Sequence, residues 1–161
     1  MLLVLSARVR LLLWMHFHRR SRNADDIATW MKSNRLQLNS DKTEVLWCAT
    51  SRRQYQLPST GMLIDGVHIT PVKSVRDLGI YIDDDLSMRM HVKKTVSCCF
   101  AALRQLRKIL QYVPTSTFQK LVVALVHSRL DYGNGVLVGI PAHQMRRLQS
   151  VLNAAARLFS I

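Results

Sequence analysis

Apolar residues in the second half of the chain follow the period of an α-helix. Over residues 88–111 they recur every three or four positions, as expected for one face of an amphipathic helix. They are Val92, Val96, Cys99, Phe100, Leu103, Leu106 and Leu110. Pro114 and Pro141 then start two further helical patterns, over residues 117–130 and from Pro141 to about Phe159. This half is therefore predicted to be a helical bundle.

The first half alternates over shorter distances and predicts strands. Asp65-Gly66 separates two short apolar runs within residues 62–69, which is a strong signal for a two-residue hairpin. Residues 75–82 alternate and predict one further strand, in which Gly79 marks a bulge or a close backbone approach. A buried strand is also predicted over residues 44–49. Together these strands are expected to form a small antiparallel meander.

Two segments precede the strands. Asn23 is a plausible N-cap for a short amphipathic helix that ends near Asn34, and the dipole of this helix is favoured by acids at positions 25 and 26. Residues 1–22 are apolar, rich in arginine and free of acid, and arginines interrupt the apolar core that a secretory signal needs. A spurious N-terminal segment and an organellar presequence both fit them, so they stay unassigned.

The fold class predicted from these patterns is α+β. It consists of an unassigned segment over residues 1–22, a strand region over residues 23–86 and a helical region over residues 87–161.

Positive charge is concentrated in the helical region. The 161-residue chain has 23 Lys and Arg against 10 Asp and Glu, a net charge of +13. Residues 89–161 hold eleven basic residues and one acid, Asp131, whereas residues 23–88 hold seven basic and nine acidic residues. A region with this balance is expected to bind a polyanion.

The cysteines and histidines show no disulfide or zinc pattern. The three cysteines are odd in number, and Cys98 and Cys99 are adjacent, so a bridge between them would be strained. Both are interpreted most simply as small core residues of a helix. No Cys-x-x-Cys occurs, so no zinc is predicted. A reducing intracellular location, in the cytoplasm or nucleus, is favoured, and no apolar run approaches the roughly 20 residues of a membrane span.

Several segments carry a family resemblance, and they occur in the family's order. Residues 30–44, Trp-Met-Lys-Ser-Asn-Arg-Leu-Gln-Leu-Asn-Ser-Asp-Lys-Thr-Glu, look like the segment after the catalytic aspartates in reverse transcriptases of non-LTR, LINE-class retrotransposons. Residues 75–83 resemble the primer-grip strand pair, and residues 86–92 resemble the start of the thumb. Residues 128–134 and 148–157 are similar to thumb signatures of the jockey-like clades.

The resemblance covers about residues 24–161 and implies the end of a polymerase palm followed by a helical thumb. In this family an aromatic-Ala-Asp-Asp hairpin and an earlier Asp hold two divalent metal ions, normally Mg²⁺, that align the primer hydroxyl with the nucleotide. That block and the fingers precede the matching residues. The resemblance therefore implies no complete catalytic site and no cofactor in this chain, which is expected to be inactive alone.

Two acidic runs are alternative candidates for metal ligands. Residues 24–26, Ala-Asp-Asp, spell part of the catalytic motif, but Asn23 precedes them in place of an aromatic residue, so a helix cap is favoured. Residues 83–85 are three aspartates at a change from strand to helix. Successive strand residues point to opposite faces, so a solvated turn and helix cap is favoured there as well. No metal site is predicted.

Lys42, Leu78 and Gly79 have roles that only the resemblance implies. Lys42 matches a lysine that acts as general acid toward the pyrophosphate leaving group, although an exposed lysine in a polar turn is commonplace. Leu78 and Gly79 match the strand that positions the primer end, for which a close backbone approach suits glycine.

Nine basic residues of the thumb-like region are candidates for phosphate contact with an RNA or DNA template-primer, without sequence reading. They are Lys93, Lys94, Arg104, Arg107, Lys108, Lys120, Arg129, Arg146 and Arg147. Charges of this kind also keep a helical bundle soluble. The near absence of acids over the same residues favours binding.

The sequence supports two functions and one further outcome. The first is an inactive fragment of a retrotransposon RNA-directed DNA polymerase that retains non-specific nucleic-acid binding, with no membrane and no small-molecule substrate. The alternative is a non-enzymatic basic module, derived from a retroelement, that binds nucleic acid or an acidic protein. The further outcome is that the chain does not fold stably, because its strands would normally pack on the rest of a palm sheet.

Overall fold

The structure, a computed structural model, describes residues 2–6, 10–14, 29–36, 39, 42–58, 60–64 and 66–159. It is a mixed helix and sheet protein in which the strands precede the long helices over these residues. The chain divides into two compact units, Met1–Ser87 and Met88–Ile161. We call them the strand unit and the helical unit.

Antiparallel hairpins form the sheet structure of the strand unit. They pair β1 (Leu2–Ser6) with β2 (Arg10–Trp14), β3 (Met62–Ile64) with β4 (Val67–Ile69), and β5 (Ser74–Asp77) with β6 (Ile80–Asp83). The first of these lies in residues for which the sequence predicts no element. Within the described ranges each hairpin is a separate two-stranded sheet.

The predicted continuous meander is therefore wrong. The chain that leaves β4 does not continue the sheet, because the N–H of Val72 donates to the carbonyl of Val45 at 2.8 Å. After β4 the backbone therefore bonds to Val45, and no third strand is added to the β3–β4 hairpin among the described residues.

The β3–β4 hairpin confirms the prediction from Asp65-Gly66. Ile64 pairs with Val67, so only two residues connect the strands. Gly66 has a φ of 78°, which lies in the left-handed region that glycine adopts without a steric penalty.

Residues 75–82 form two strands and not the single strand that their alternation predicts, in agreement with the strand pair that the resemblance implies for residues 75–83. The chain reverses at Leu78 and Gly79, whose φ values are 45° and 88°, and Asp77 pairs with Ile80. Two consecutive positive φ values are typical of the type I′ turn, whose twist matches that of a tight hairpin. The interpretation of Gly79 as a bulge is wrong as well. The alternation did not reveal the turn, because the apolar residues on both sides of it resemble one alternating run and Leu-Gly is not a usual turn pair.

The core of the strand unit is built around the extended residues 45–48, all of which are buried. Leu46, Cys48 and Val75 form one buried cluster, and Val72 and Ile82 pack against it. The burial predicted for residues 44–49 is therefore right for these four residues, but they do not form a strand.

The pairing predicted for that strand is absent. The segment makes an isolated parallel bridge between Val45 and Pro71 in the described part of the chain. Proline has no N–H to donate, so a ladder cannot continue through it. Farther along the segment, the N–H of Ala49 donates to the carbonyl of Asp84 at 3.0 Å.

The amphipathic helix before this core ends as predicted. Residues 29–33 are helical, and the Nδ2 of Asn34 donates to the carbonyl of Trp30 at 2.8 Å just beyond them. The predicted cap at Asn23 and the acids at positions 25 and 26 lie outside the described residues. Residues 50–60, interpreted from the sequence as a loop, include a 3-10 helix, Ser51–Gln56.

The helical unit contains the predicted helices with one interruption. They are α1 (Arg89–Ile109), α2 (Thr115–Val122), α3 (Ser128–Asp131) and α4 (Ala142–Leu158). A π-helical turn, Val123–His127, joins α2 to α3, so the second predicted helix is continuous but locally widened. Pro114 and Pro141 stand at the N-caps of α2 and α4.

Each long helix buries one face. Helix α1 packs against α4, against α2 and against the π-helical turn. The buried residues of α4 are Gln144, Leu148, Val151, Ala155 and Leu158. Phe118 of α2 is fully buried and meets Phe159 edge to face, with ring centroids 5.9 Å apart. Among the described residues no helix is long and apolar enough to cross a membrane.

Candidate nucleic-acid interface

The nine basic residues predicted to contact phosphate are all exposed on the helical unit. Lys120 lies on α2, Arg129 on α3, and Arg146 and Arg147 on α4. The other five lie on α1, and we call them the basic strip. The basic strip is Lys93, Lys94, Arg104, Arg107 and Lys108.

The helical unit has almost no negative charge to balance these residues. Asp131 is the single acidic side chain between residues 89 and 161. Its Oδ1 accepts a hydrogen bond from the Nδ2 of Asn134 at 2.9 Å, which ties it into the turn after α3. One carboxylate cannot neutralise eleven basic side chains, so the unit's surface is strongly cationic.

The basic strip runs along most of α1. Lys93 and Arg104 are eleven residues apart, close to three turns, so they lie on the same side of the helix about 16 Å apart along its axis. Arg107 and Lys108 extend the strip by about one more turn. The exposed side of α1 therefore presents cations over a length that spans several phosphates of a nucleic acid.

Helix stability explains part of this charge but not all of it. Arg107 and Lys108 lie in the last turn of α1, and Lys120 lies in the last turn of α2. Cations are favourable there because the helix dipole is negative at its C-terminal end. Lys93 and Lys94 lie toward the other end of α1, whose first turn has no acid. The helix dipole therefore does not explain why Lys93 and Lys94 are positively charged residues.

Polar residues of α4, some of which carry the family resemblance, have local partners. The Nε2 of Gln149 donates to the Oδ1 of Asn153 at 3.0 Å, and the Nε of Arg146 donates to the carbonyl of Ala142 at 3.4 Å. Arg157 is exposed on the same helix. The sequence assigned no chemical role to Asn153 or Arg157, and the structure places both on the exposed side of α4.

Cys98 and Cys99 differ in burial, so the core interpretation is right for Cys99 and wrong for Cys98. Neighbouring positions on a helix are about 100° apart, so a face that buries one residue can leave the next outside. Burial raises the pKa of the Cys99 thiol, although Arg129 opposes this. In the strand unit, burial raises the pKa of the Cys48 thiol to about 11.

Lys42, Leu78 and Gly79 all lie in turns of the strand unit. Lys42 is exposed, and its N–H donates to the carbonyl of Asn39 at 3.1 Å. Leu78 is 63% exposed at the tip of the β5–β6 hairpin, beside Gly79. The structure thus joins the two primer-grip-like residues in one turn and places Lys42 in another.

The three aspartates at positions 83–85 belong to the turn that ends the strand unit. The Oδ1 of Asp85 accepts the N–H of Ser87 at 3.0 Å, and the Oδ2 of Asp83 accepts the hydroxyl of Ser87 at 3.3 Å. The turn interpretation agrees with these bonds, but Asp83 ends β6 and is buried, so it is not solvated. The helix-cap interpretation is wrong, because the N-cap of α1 is Met88, whose side chain makes no capping hydrogen bond. No group of three or more His, Cys, Asp or Glu could hold a metal ion among the described residues.

A second basic and aromatic feature was missed at the sequence level. The 3-10 helix Ser51–Gln56 presents Arg52, Arg53 and Tyr55, all exposed, and it buries none of its own residues. The signal was present in the sequence, since two adjacent arginines and a tyrosine lie within residues 45–64, which contain no acid. What the sequence did not show is that the tyrosine is on the surface.

No family model matches the chain. The comparisons with curated proteins and with solved structures likewise gave no significant match.

Proposed function

We propose that this chain is part of a non-LTR retrotransposon reverse transcriptase, with the strand unit as the end of the palm and the helical unit as the thumb. The function that we propose for these residues is binding of RNA or DNA through the phosphate backbone without sequence reading. The ordered motifs over residues 24–161 support the family. The exposed charge of the helical unit supports the binding.

The basic strip on α1 carries the binding proposal. Solubility alone would be served by charges of both signs, because a mixed surface avoids a large field of one sign. The helical unit instead has eleven basic residues and one acid, and Lys93 and Lys94 lie where helix stability does not need them. A long cationic surface without nearby carboxylates is suited to a polyphosphate chain.

Salt dependence of binding tests this proposal. We expect the affinity of the full chain for a duplex of mixed sequence to fall steeply with salt, with a slope of about −0.9 per neutralised phosphate. Replacing Lys93, Lys94 and Arg104 by glutamine should reduce the magnitude of this slope by up to roughly 3 units. Fluorescence anisotropy of a labelled duplex at several salt concentrations measures it.

Lys73→Gln is the matched control for the single variant Lys93→Gln, because Lys73 is an exposed lysine of the strand unit and each change removes one positive charge. We expect it to leave the slope unchanged. Equal slopes for the triple variant and the native chain would contradict the proposal.

Primer extension tests the catalytic side of the proposal. The 161 residues contain no aromatic-Ala-Asp-Asp motif. We therefore expect the purified chain, given primer-template, Mg²⁺ and deoxynucleotides, to leave the primer at its original length on a denaturing gel. Extension that survives repurification would contradict this expectation.

Exposed apolar residues of the helical unit favour a second candidate, the protein-binding module. Tyr112, Val123, Val136 and Val138 are each between 45% and 84% exposed. Exposed apolar residues that form one contiguous patch commonly mark a protein contact. Binding to one defined protein that persists at high salt, together with weak binding to nucleic acid, would favour this candidate.

A further inference from the structure

The 3-10 helix Ser51–Gln56 lies in the strand unit and is separate from the basic strip. We infer that Arg52 and Tyr55 bind an unpaired nucleotide of a single-stranded nucleic acid, with the base stacked on the tyrosine ring and its phosphate at the arginine. This inference rests on the proposed nucleic-acid function and names the form of nucleic acid that the strand unit takes.

The geometry of the 3-10 helix places the two groups on one side. Such a helix has three residues per turn, so side chains at positions i and i+3 eclipse each other. Arg52 and Tyr55 are three residues apart, and the rise between them is about 6 Å. Two residues with this rise on one side of a helix are suited to the phosphate and the base of one nucleotide.

The tyrosine ring is accessible and held in place. Tyr55 is 81% exposed, so most of its surface is open to a planar ligand. The Nε2 of Gln56 donates to the hydroxyl of Tyr55 at 3.0 Å, which restrains the ring from its polar end. The helix itself is fixed by the Nε2 of Gln54, which donates to the carbonyl of Ala49 at 3.3 Å. A restrained ring loses less entropy when a base stacks on it.

The charge around the ring favours a phosphate. Arg52 and the adjacent Arg53 are both exposed, and no acid occurs between residues 45 and 64. Tyr132 of the helical unit is also exposed, but it follows Asp131, the acid of that unit. The local charge at Tyr55 therefore attracts a polyanion, and Tyr132 provides a matched comparison.

Stacking on an isolated ring selects an unpaired base. In a duplex both faces of each internal base are covered by its neighbours, whereas a single strand can turn a base outward onto an aromatic side chain. The Arg52–Tyr55 site is therefore expected to distinguish single strands from duplex, which the basic strip does not.

Binding of a labelled oligothymidine strand to the full chain tests the inference. Tyr55→Ala should weaken binding about 5- to 150-fold, since one stacked base contributes this much. Tyr55→Phe keeps the ring but loses the hydrogen bond from Gln56, so it should weaken binding much less than Tyr55→Ala does. Tyr132→Ala, the matched control, should leave the affinity unchanged, and none of the three should alter duplex binding.

Irradiation of an iodouracil-substituted strand should crosslink Tyr55, as mass spectrometry of the peptides would show.

The outcomes separate this inference from the proposed function. Unchanged single-strand affinity in Tyr55→Ala, with salt-dependent duplex binding intact, overturns the inference and leaves the proposed function standing. An equal loss in Tyr55→Ala and Tyr132→Ala also overturns it, because aromatic surface in general would then be responsible. A native chain that binds neither strand nor duplex overturns both.

Discussion

Leu78 occupies a backbone conformation that suits other residues better. Its φ of 45° is left-handed, and the next residue is Gly79 with a φ of 88°. Asn-Gly is a preferred pair for this type of turn, since the asparagine side chain can bond locally to its own backbone. We therefore expect Leu78→Asn to raise the free energy of unfolding of the strand unit.

The magnitude follows from two opposing contributions. The left-handed conformation costs an ordinary L-residue about 1–2 kcal/mol, most of which asparagine avoids. Leu78 is 63% exposed, so about a third of its burial, roughly 0.5–1 kcal/mol, is lost on replacement. The expected net stabilisation is about 0.5–1 kcal/mol.

Leu63→Asn is the control for this substitution. Leu63 is 62% exposed, almost the same as Leu78, but it lies in β3 with ordinary strand geometry. The same side-chain change there loses similar burial and also strand propensity, for a destabilisation of about 1–2 kcal/mol. The two variants should therefore differ by roughly 2 kcal/mol, in opposite directions from the native chain.

Urea unfolding followed by tryptophan fluorescence measures the difference. All three tryptophans, at positions 14, 30 and 47, belong to the strand unit, so the signal reports on that unit. If Leu78→Asn destabilises the strand unit as much as Leu63→Asn does, the reasoning from backbone strain at Leu78 is refuted.

Three further predictions concern the thiols and the helical core. In the native chain Cys98 should react with a maleimide much faster than Cys48 and Cys99, and mass spectrometry of peptides after brief labelling would show one modified site. Stability should fall as pH rises from about 9 to about 11, because the folded state keeps the Cys48 thiol protonated, whereas the unfolded state releases its proton at its ordinary pKa of 9.0. Cys48→Ala should reduce this fall in pH-dependent urea titrations. Phe118→Ala should destabilise the helical unit by about 3–5 kcal/mol, and Phe159→Ala by much less because Phe159 is half exposed, as circular dichroism melts would measure.

The long helices could be predicted because their pattern extends over many residues. Twenty-one residues of α1 average out single exceptions, and Pro114 and Pro141 mark where the next helices begin. The π-helical turn after Val122 could not be predicted, since its residues do not differ in type from those of an ordinary helix. Its geometry depends on tertiary packing rather than on local preference.

Short strands were predicted less well, because a pattern over few residues does not average out single exceptions. The β3–β4 hairpin followed from Asp65-Gly66, whose preference for the turn is local. The reversal at Leu78 and Gly79 has no such signal. Residues 45–48 are buried as their composition indicates, but their pairing depended on Pro71, which is distant in sequence and lacks an N–H.

The candidate interface also has one part that could be predicted from the sequence and one part that could not. The basic strip could be predicted because an excess of charge on an amphipathic helix must lie on its exposed side. The Arg52–Tyr55 site could not, because a tyrosine is equally common in cores and on surfaces, and only the fold exposes Tyr55 to 81%.

The shortage of carboxylates in the helical unit links its folding to its ligand. Like charges along α1 repel each other in the folded state, so added salt should raise the melting temperature of the free bundle while it weakens the nucleic-acid complex. A bound polyphosphate removes the same repulsion and shifts the folding equilibrium by mass action. Under the proposed function, the nucleic acid therefore acts as the counterion that completes the folded state of the helical unit.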